Sequence, residues 1–385
     1  MCNVYDMKSK GDFFMNGYIP CHVTEATYQN VLFNKLDHAF FHALPRHVKH
    51  VHITRSPTLR SISIPREITF SEFSITATAI NRIEIDERNV IKEFTVDESK
   101  FITIPNAISH LQEAEKIGVT NSPITVLDMA SFCYLSKVQV LNLFGNRIRH
   151  IVNSASKNCS VYNSLQYFHI SNNLLKNINM EVFNAFSKLE LIEFKQNRLR
   201  LIQGSFRSMA PLKLYLLKNK LKAIDFCRWN VPHMVFLELD SNELTAIPDC
   251  LENISSLTSL YLAGNQIESV SIESFAALSN LNMINLSVNK ITTFELHSVR
   301  YPRSLRWLYV SNNNITAIDL SLVPVPSLEV FVNGNCISKF DTNNISPNVT
   351  ILLMIDNPID CSWQSLYQRN NVTCIEDATS KVRCN

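Results

Sequence analysis

Glycine is scarce in this sequence, with only 7 in 385 residues. That scarcity argues against glycine-rich phosphate loops and against folds crowded with tight hairpins. An excess of charge of one sign is also missing: 36 lysines and arginines face 34 aspartates and glutamates, a net charge of +2. We therefore expect no nucleic-acid partner and no attraction to an anionic membrane. No apolar run approaches the ~18–20 residues of a membrane span, so none is expected. The opening decapeptide, from Met1 to Lys10, lacks the apolar stretch of a signal peptide. Phosphate-loop, dinucleotide, zinc-protease and nucleophile-elbow motifs are all missing. The expectation is no catalytic residue, no cofactor and no enzyme.

What the chain has in plenty is asparagine, 40 in all, and many of these recur at regular intervals. The pattern L-x-x-L-x-L-x-x-N-x-L fits Val138–Ile148 through Leu141, Leu143 and Asn146. It returns with Phe168, Ile170 and Asn173, and again with Ile192, Phe194 and Asn197. Further copies place Asn219, Asn242, Asn265, Asn289, Asn313, Asn335 and Asn357 in the same slot. Successive asparagines are 27, 24, 22, 23, 23, 24, 24, 22 and 22 residues apart. Chance does not give that regularity, and the period is that of a leucine-rich repeat.

Each slot has a physical reason. An alternating apolar pair such as Leu260 and Leu262 belongs to a short strand whose inner face packs into the coil. The asparagine amide donates and accepts, so it satisfies backbone groups stranded in the buried turn that follows. Stacked coils then build a parallel sheet along one flank and a continuous core. Phe275 and Leu278 represent a second apolar set that packs the returning side. The fold class expected is α/β, a curved leucine-rich-repeat solenoid with its parallel sheet on the concave face.

The first third repeats less clearly. A copy with Ser122 in the asparagine slot uses Ile117 and Val119. Fainter copies use Ile83, Ile85 and Arg88, and Val51, Ile53 and Ser56, at spacings of 34 and 32 that imply insertions or broken coils. The organisation read from these spacings is an irregular segment over 1–35 and degenerate repeats over 36–125. Regular repeats follow over 126–357, and a cysteine-bearing cap over 358–385.

Cys227 and Cys250 each precede the first strand slot of their repeat by seven residues. Equal phase in adjacent coils puts their Cα atoms ~5 Å apart, within reach of a disulfide. Cys133 and Cys159 are one residue out of phase and form a weaker pair, and Cys2 and Cys21 are placed to tie down the N-terminal segment. Bridged cysteines point to an oxidising compartment. The seven N-x-S/T sequons make a glycoprotein the expectation if the chain is secreted, although so asparagine-rich a chain carries several by chance. The one at Asn285 falls mid-strand on the exposed sheet face.

Five of the eleven histidines, His38, His42, His47, His50 and His52, crowd within 15 residues. His38 and His42 have the i, i+4 spacing of helical metal ligands. The plainer reading is a solvated flank, and no metal is expected. The concave face carries the better candidate. The residue between the two core positions of each strand points outward, and this column holds His169, Tyr215, Glu238, Tyr261, Tyr309 and Phe331. A neighbouring column adds Tyr167, Phe236 and Trp307. Exposed aromatic groups favour binding, although aromatics also suit any strand surface.

Directly after Asn357 the run Pro358-Ile359-Asp360-Cys361-Ser362-Trp363 opens a segment with Cys374 and Cys384. This N-P-x-x-C-x-W start resembles the C-terminal cap of extracellular leucine-rich-repeat proteins, and repeat and cap together carry the resemblance over about residues 110–385. The resemblance implies disulfides at Cys361, Cys374 and Cys384. The usual cap has four cysteines, so either Cys336 supplies the fourth or the chain stops early. With its serine-slot beginning and no N-terminal cysteine cap, the chain further resembles the mosquito leucine-rich immune proteins. That likeness implies a secreted protein of innate immunity that binds protein partners or microbial surface ligands. No heptads precede Asn385, so the likeness is to the branch without a coiled coil, and obligate pairing is not implied. The alternatives are an extracellular adhesion or matrix protein and an intracellular scaffold.

Overall fold

The computed structural model describes residues 1–155, 158–341 and 345–359, together with the short strand Val372–Thr373. Two compact units result: Met1–Ile178 with Val182–Arg198, and Asn179–Glu181 with Leu199–Asn385. Each is a stack of repeat coils, and the fold is a leucine-rich-repeat solenoid.

In the N-terminal unit nine parallel strands pair strictly in chain order. They are Cys2–Tyr5, Glu25–Gln29, His50–Ser56, Glu72–Thr78, Glu93–Asp97, Lys116–Thr120, Val140–Asn142, Tyr167–His169 and Leu191–Glu193. In the C-terminal unit Lys213–Tyr215, Phe236–Glu238, Ser259–Tyr261, Met283–Asn285, Trp307–Tyr309, Leu328–Phe331, Val349–Leu353 and Val372–Thr373 do the same. Inward residues such as Leu260, Leu262, Ile284 and Leu308 are fully buried. The returning side of each coil is made of short strands or 3-10 turns. Among the described residues the one α-helix is His38–His42. Phe275 and Leu278 are fully buried behind the turn Ile272–Phe275.

The slot asparagines form a ladder that joins coil to coil. Asn265 Nδ2 donates to Leu262 O in its own coil and to Leu239 O in the preceding one, both at 3.0 Å. Its Oδ1 accepts from Leu244 N at 3.0 Å. Asn242, Asn289, Asn313 and Asn357 repeat the arrangement. Each of these five turns thus has a buried amide and buried carbonyls met across the coil boundary.

The residue before each ladder position has positive φ, as at Asn172, Lys218, Gly264, Val288 and Asn312. Only Gly145, Gly264 and Gly334 supply a glycine to this row, so most coils carry a side chain in a conformation glycine would adopt without strain.

The first third is more regular than its sequence implies. Ser56, Thr78, Ser99 and Ser122 occupy the slot, 22, 21 and 23 residues apart, and all four are buried. Ser122 Oγ accepts from Ser99 N at 3.1 Å and donates to Thr120 O at 2.9 Å, the work of an asparagine done with one oxygen. The faint copy on Ile83 and Ile85 is corrected. Those residues lie in Arg82–Ile85, which pairs with Ser61–Ile64 and through it with Lys35–Leu36 on the returning side. Residues 1–35 contribute two strands of the main sheet, Cys2–Tyr5 and Glu25–Gln29.

Cys227 and Cys250 are bonded with Cα atoms 4.9 Å apart, and so are Cys133 and Cys159 at 4.6 Å. Cys2 and Cys21 are free thiols, which corrects the expected N-terminal tie. Cys336 is disulfide-bonded. Cys361, Cys374 and Cys384, and with them the cap, lie outside the described residues. Among the described residues no helix is long and apolar enough to cross a membrane.

Candidate binding face

Parallel pairing in register brings equivalent strand positions side by side, so each outward column becomes a row of neighbouring side chains. In the C-terminal unit Tyr215, Glu238, Tyr261, Asn285, Tyr309 and Phe331 follow one another across the sheet. Phe236 and Trp307 stand in the adjoining column. All of these side chains are half-buried.

The rings form two groups. Tyr215 and Phe236 lie 4.8 Å apart between centroids, and Phe236 and Tyr261 lie 5.2 Å apart. Tyr309 and Phe331 are stacked at 4.5 Å with planes 12° from parallel. The Arg306 guanidinium sits 4.7 Å over the Trp307 ring, and its Nε reaches Glu329 Oε1 at 3.4 Å. Asn285 separates the two groups. Its Oδ1 accepts from Ser287 N at 3.1 Å, which leaves the amide nitrogen of this sequon facing outward.

Acidic groups adjoin the first aromatic group. Glu238 stands between Tyr215 and Tyr261. Asp240, two residues on, accepts from Ala263 N at 2.7 Å. Burial, with the Glu238 charge nearby, pushes its carboxyl up to about 6. Burial and these two carboxylates likewise push the Tyr261 phenol up.

Tyr167 and His169 lie on the sheet of the N-terminal unit. His169 Nδ1 meets Glu193 Oε2 at 2.7 Å, and Lys195 Nζ lies 3.6 Å from the other carboxylate oxygen. The His169 hydrogen bond is the main cause holding the Glu193 carboxyl below its usual range. Arg306, Asp240 and Lys195 were not singled out from the sequence. Each neighbours a candidate along or across a strand, and that adjacency is the signal that marks them.

The histidine cluster does not converge. His50 Nδ1 pairs with Glu72 Oε2 at 2.7 Å, and His52 Nε2 with Glu25 Oε1 at 3.2 Å, both on the sheet face. His38 and His42 lie on the helix with ring centroids 6.4 Å apart. Among the described residues the one group with metal-ligand spacing is Asp225, Cys227 and Cys250. Its sulfurs are joined in the disulfide and carry no thiolate to offer a metal.

A leucine-rich-repeat sequence profile matches residues 255–315. No curated protein matches the chain. Several solved structures share its fold. A chain of the mosquito LRIM1/APL1C complex is 16% identical with a TM-score of 0.60, over 98% of this chain and 66% of that one. The mosquito APL1 leucine-rich-repeat domain is 16% identical with a TM-score of 0.57, over 98% and 93%. A chain of the Drosophila Toll–Spatzle complex is 15% identical with a TM-score of 0.54, over 92% and 57%. The chain thus spans about two-thirds of the first of these and little more than half of the third. The resemblance to the mosquito leucine-rich immune proteins holds in fold.

Proposed function

We propose that this chain is a secreted, non-catalytic recognition protein of innate immunity that binds a protein or microbial-surface ligand on its sheet face. Contact centres on Trp307, Tyr309 and Phe331 and on Tyr215, Phe236, Glu238 and Tyr261; on the N-terminal unit's own sheet the candidate contacts are Tyr167 and His169. The stacked pair Tyr309 and Phe331 carries the reading, because two rings on the outward side of a sheet cover only part of each other. Large aromatic surface left half open is what binding hot spots are made of.

The similar structures support the reading. Toll is seen there in complex with Spatzle, and LRIM1 with APL1C. The two disulfides support an oxidising, extracellular setting, where glycans at sequons such as Asn285 are expected.

Photo-crosslinking tests the face. A photoreactive residue at Tyr309 should capture a partner from extracellular fluid, while one at Val299, exposed on the returning side, should not. Equal capture at both positions, or none at Tyr309, removes the face as the binding surface. Non-reducing peptide mapping of protein from culture medium tests the compartment. Free thiols at Cys227 and Cys250 would favour the intracellular scaffold.

A further inference from the structure

A basic cleft opens on the flank of the N-terminal unit, in the stretch each coil follows after its ladder asparagine. Arg149, His150, Leu174, Lys176, Asn177 and Arg198 line a cavity of about 360 Å³. Backbone rungs set the coils side by side here. Arg149 N donates to Thr125 O at 2.8 Å, Leu174 N to Ile148 O at 2.9 Å, and Arg198 N to Leu175 O at 2.9 Å. Positions one and three after the asparagine therefore line up in rows, ~4.8 Å from coil to coil. Arg147 and Arg198 take the first position in their coils, and Arg149 and Lys176 the third.

All four cations are exposed. None of them forms an ion pair among the described residues. Elsewhere in the same unit Lys92, Lys116 and Lys137 each meet a glutamate. The lining of the cleft includes no carboxylate. Like charges gathered on neighbouring coils without a counter-charge repel, and a bound anion relieves that repulsion.

We propose that this cleft is a second binding site, separate from the sheet face, for an anionic polysaccharide bearing sulfate or phosphate esters. Arginine forks match the oxygens of either ester, and the Asn177 amide suits a sugar hydroxyl. Two features of the lining select this ligand over other polyanions. The lining holds no Phe, Tyr or Trp and only the single His150 imidazole, so successive bases of a single-stranded nucleic acid find no row of rings to stack on. The one apolar side chain there, Leu174, is half-buried, so no wedge is offered to a bilayer. The near-zero net charge of the whole chain conceals the site.

The test measures binding of the full chain to two labelled probes at about 0.15 M salt. One is a sulfated heparin oligosaccharide and the other a glycerol-phosphate oligomer of equal charge. At least one should bind, and the tighter one identifies the source of the anion. Arg149→Glu and Lys176→Glu should each weaken binding about tenfold, with a log–log salt slope between about −1 and −3 from the three cations that line the cleft. Lys188→Glu makes the same charge change at an exposed position outside the cleft and should leave binding as it was. Trp307→Ala should also leave it unchanged, which separates this site from the sheet face. Should Arg149→Glu fail to fold, Arg149→Gln takes its place. The site is overturned if neither probe binds, if oligothymidine binds as tightly, or if Lys188→Glu costs as much as Lys176→Glu.

Discussion

Tyr309 and Phe331 lie face to face on adjacent strands, ring centroids 4.5 Å apart, on the side of the sheet opposite the packed core. Trp307 stands in the adjoining column of the same strand as Tyr309. Trp307→Ala should weaken partner binding while changing stability by no more than about 1 kcal/mol, the scale of an exposed cation–π contact with Arg306. Leu262→Ala, at a fully buried position, should cost ~2–5 kcal/mol through the cavity it leaves. Denaturant melts of both variants decide the matter. The reverse order of effects would mean that the inward and outward faces have been exchanged.

Asn265→Ala tests the ladder. The substitution strips donors from Leu239 O and Leu262 O and an acceptor from Leu244 N, all of them buried. Losing three buried bonds should cost at least about 3 kcal/mol. Hydrogen exchange should show the loosening at the Leu244 amide. Unchanged protection there would mean that the ladder is incidental to stability.

Val288 has φ 58°, and the residue is 54% exposed. A β-branched residue pays heavily in this conformation and here gains no burial in return. Val288→Gly should stabilise the chain by about 1 kcal/mol, and Val288→Asn by a similar amount without the added backbone entropy. A fall in the melting temperature of both variants would refute the strain.

Asp240 yields a prediction in pH. Its folded carboxyl is raised to about 6, whereas an unfolded aspartate titrates near ~3.9. Between those values the folded chain holds a proton that the unfolded chain has lost. This group's contribution to stability is therefore largest below about pH 4 and is lost as pH rises through about 6. Asp240→Asn should be more stable than the parent by about 1–2 kcal/mol at pH 7, after allowance for solvent screening, and the gap should close below about pH 4. A gap that does not change with pH would rule out the titration.

From Asn146 onward the sheet, its register and the outward columns were legible in the sequence, because leucines and asparagines mark every coil. Earlier coils hid their period for a chemical reason. Ser56, Ser99 and Ser122 fill the slot with a bonded hydroxyl and Thr78 with an unpaired one, and no motif keyed to asparagine finds them. Alternation at Ile83 and Ile85 then imitated a sheet strand, since a short strand on the returning side has the same period of two. Cys133 and Cys159 meet although they are one residue out of phase, Cys133 directly after the turn Met129–Phe132 and Cys159 directly before the turn Ser160–Asn163. Of the candidate face, the aromatics were readable as a column. Arg306 over Trp307 was not, because a contact between sequence neighbours leaves no periodic trace. The basic cleft was hidden as well, its cations being spread over about 50 residues.

The coil running from Asn146 to Asn173 is the longest of the regular series, at 27 residues. In the coil before it, the strand Val126–Asp128 passes straight into the turn Met129–Phe132. Here the strand ends at Val152 and the turn begins only at Ser160, so the surplus falls entirely on the returning side. The ladder explains why. An amide that must reach carbonyls in two coils works as a ruler, fixing the distance from strand to turn and leaving only the far side free to vary. The two halves of a coil are therefore open to different kinds of genetic change. Substitutions can rewrite the sheet face one side chain at a time, insertions can lengthen the back, and a whole coil can be added or removed without shifting the rows in which neighbouring side chains meet.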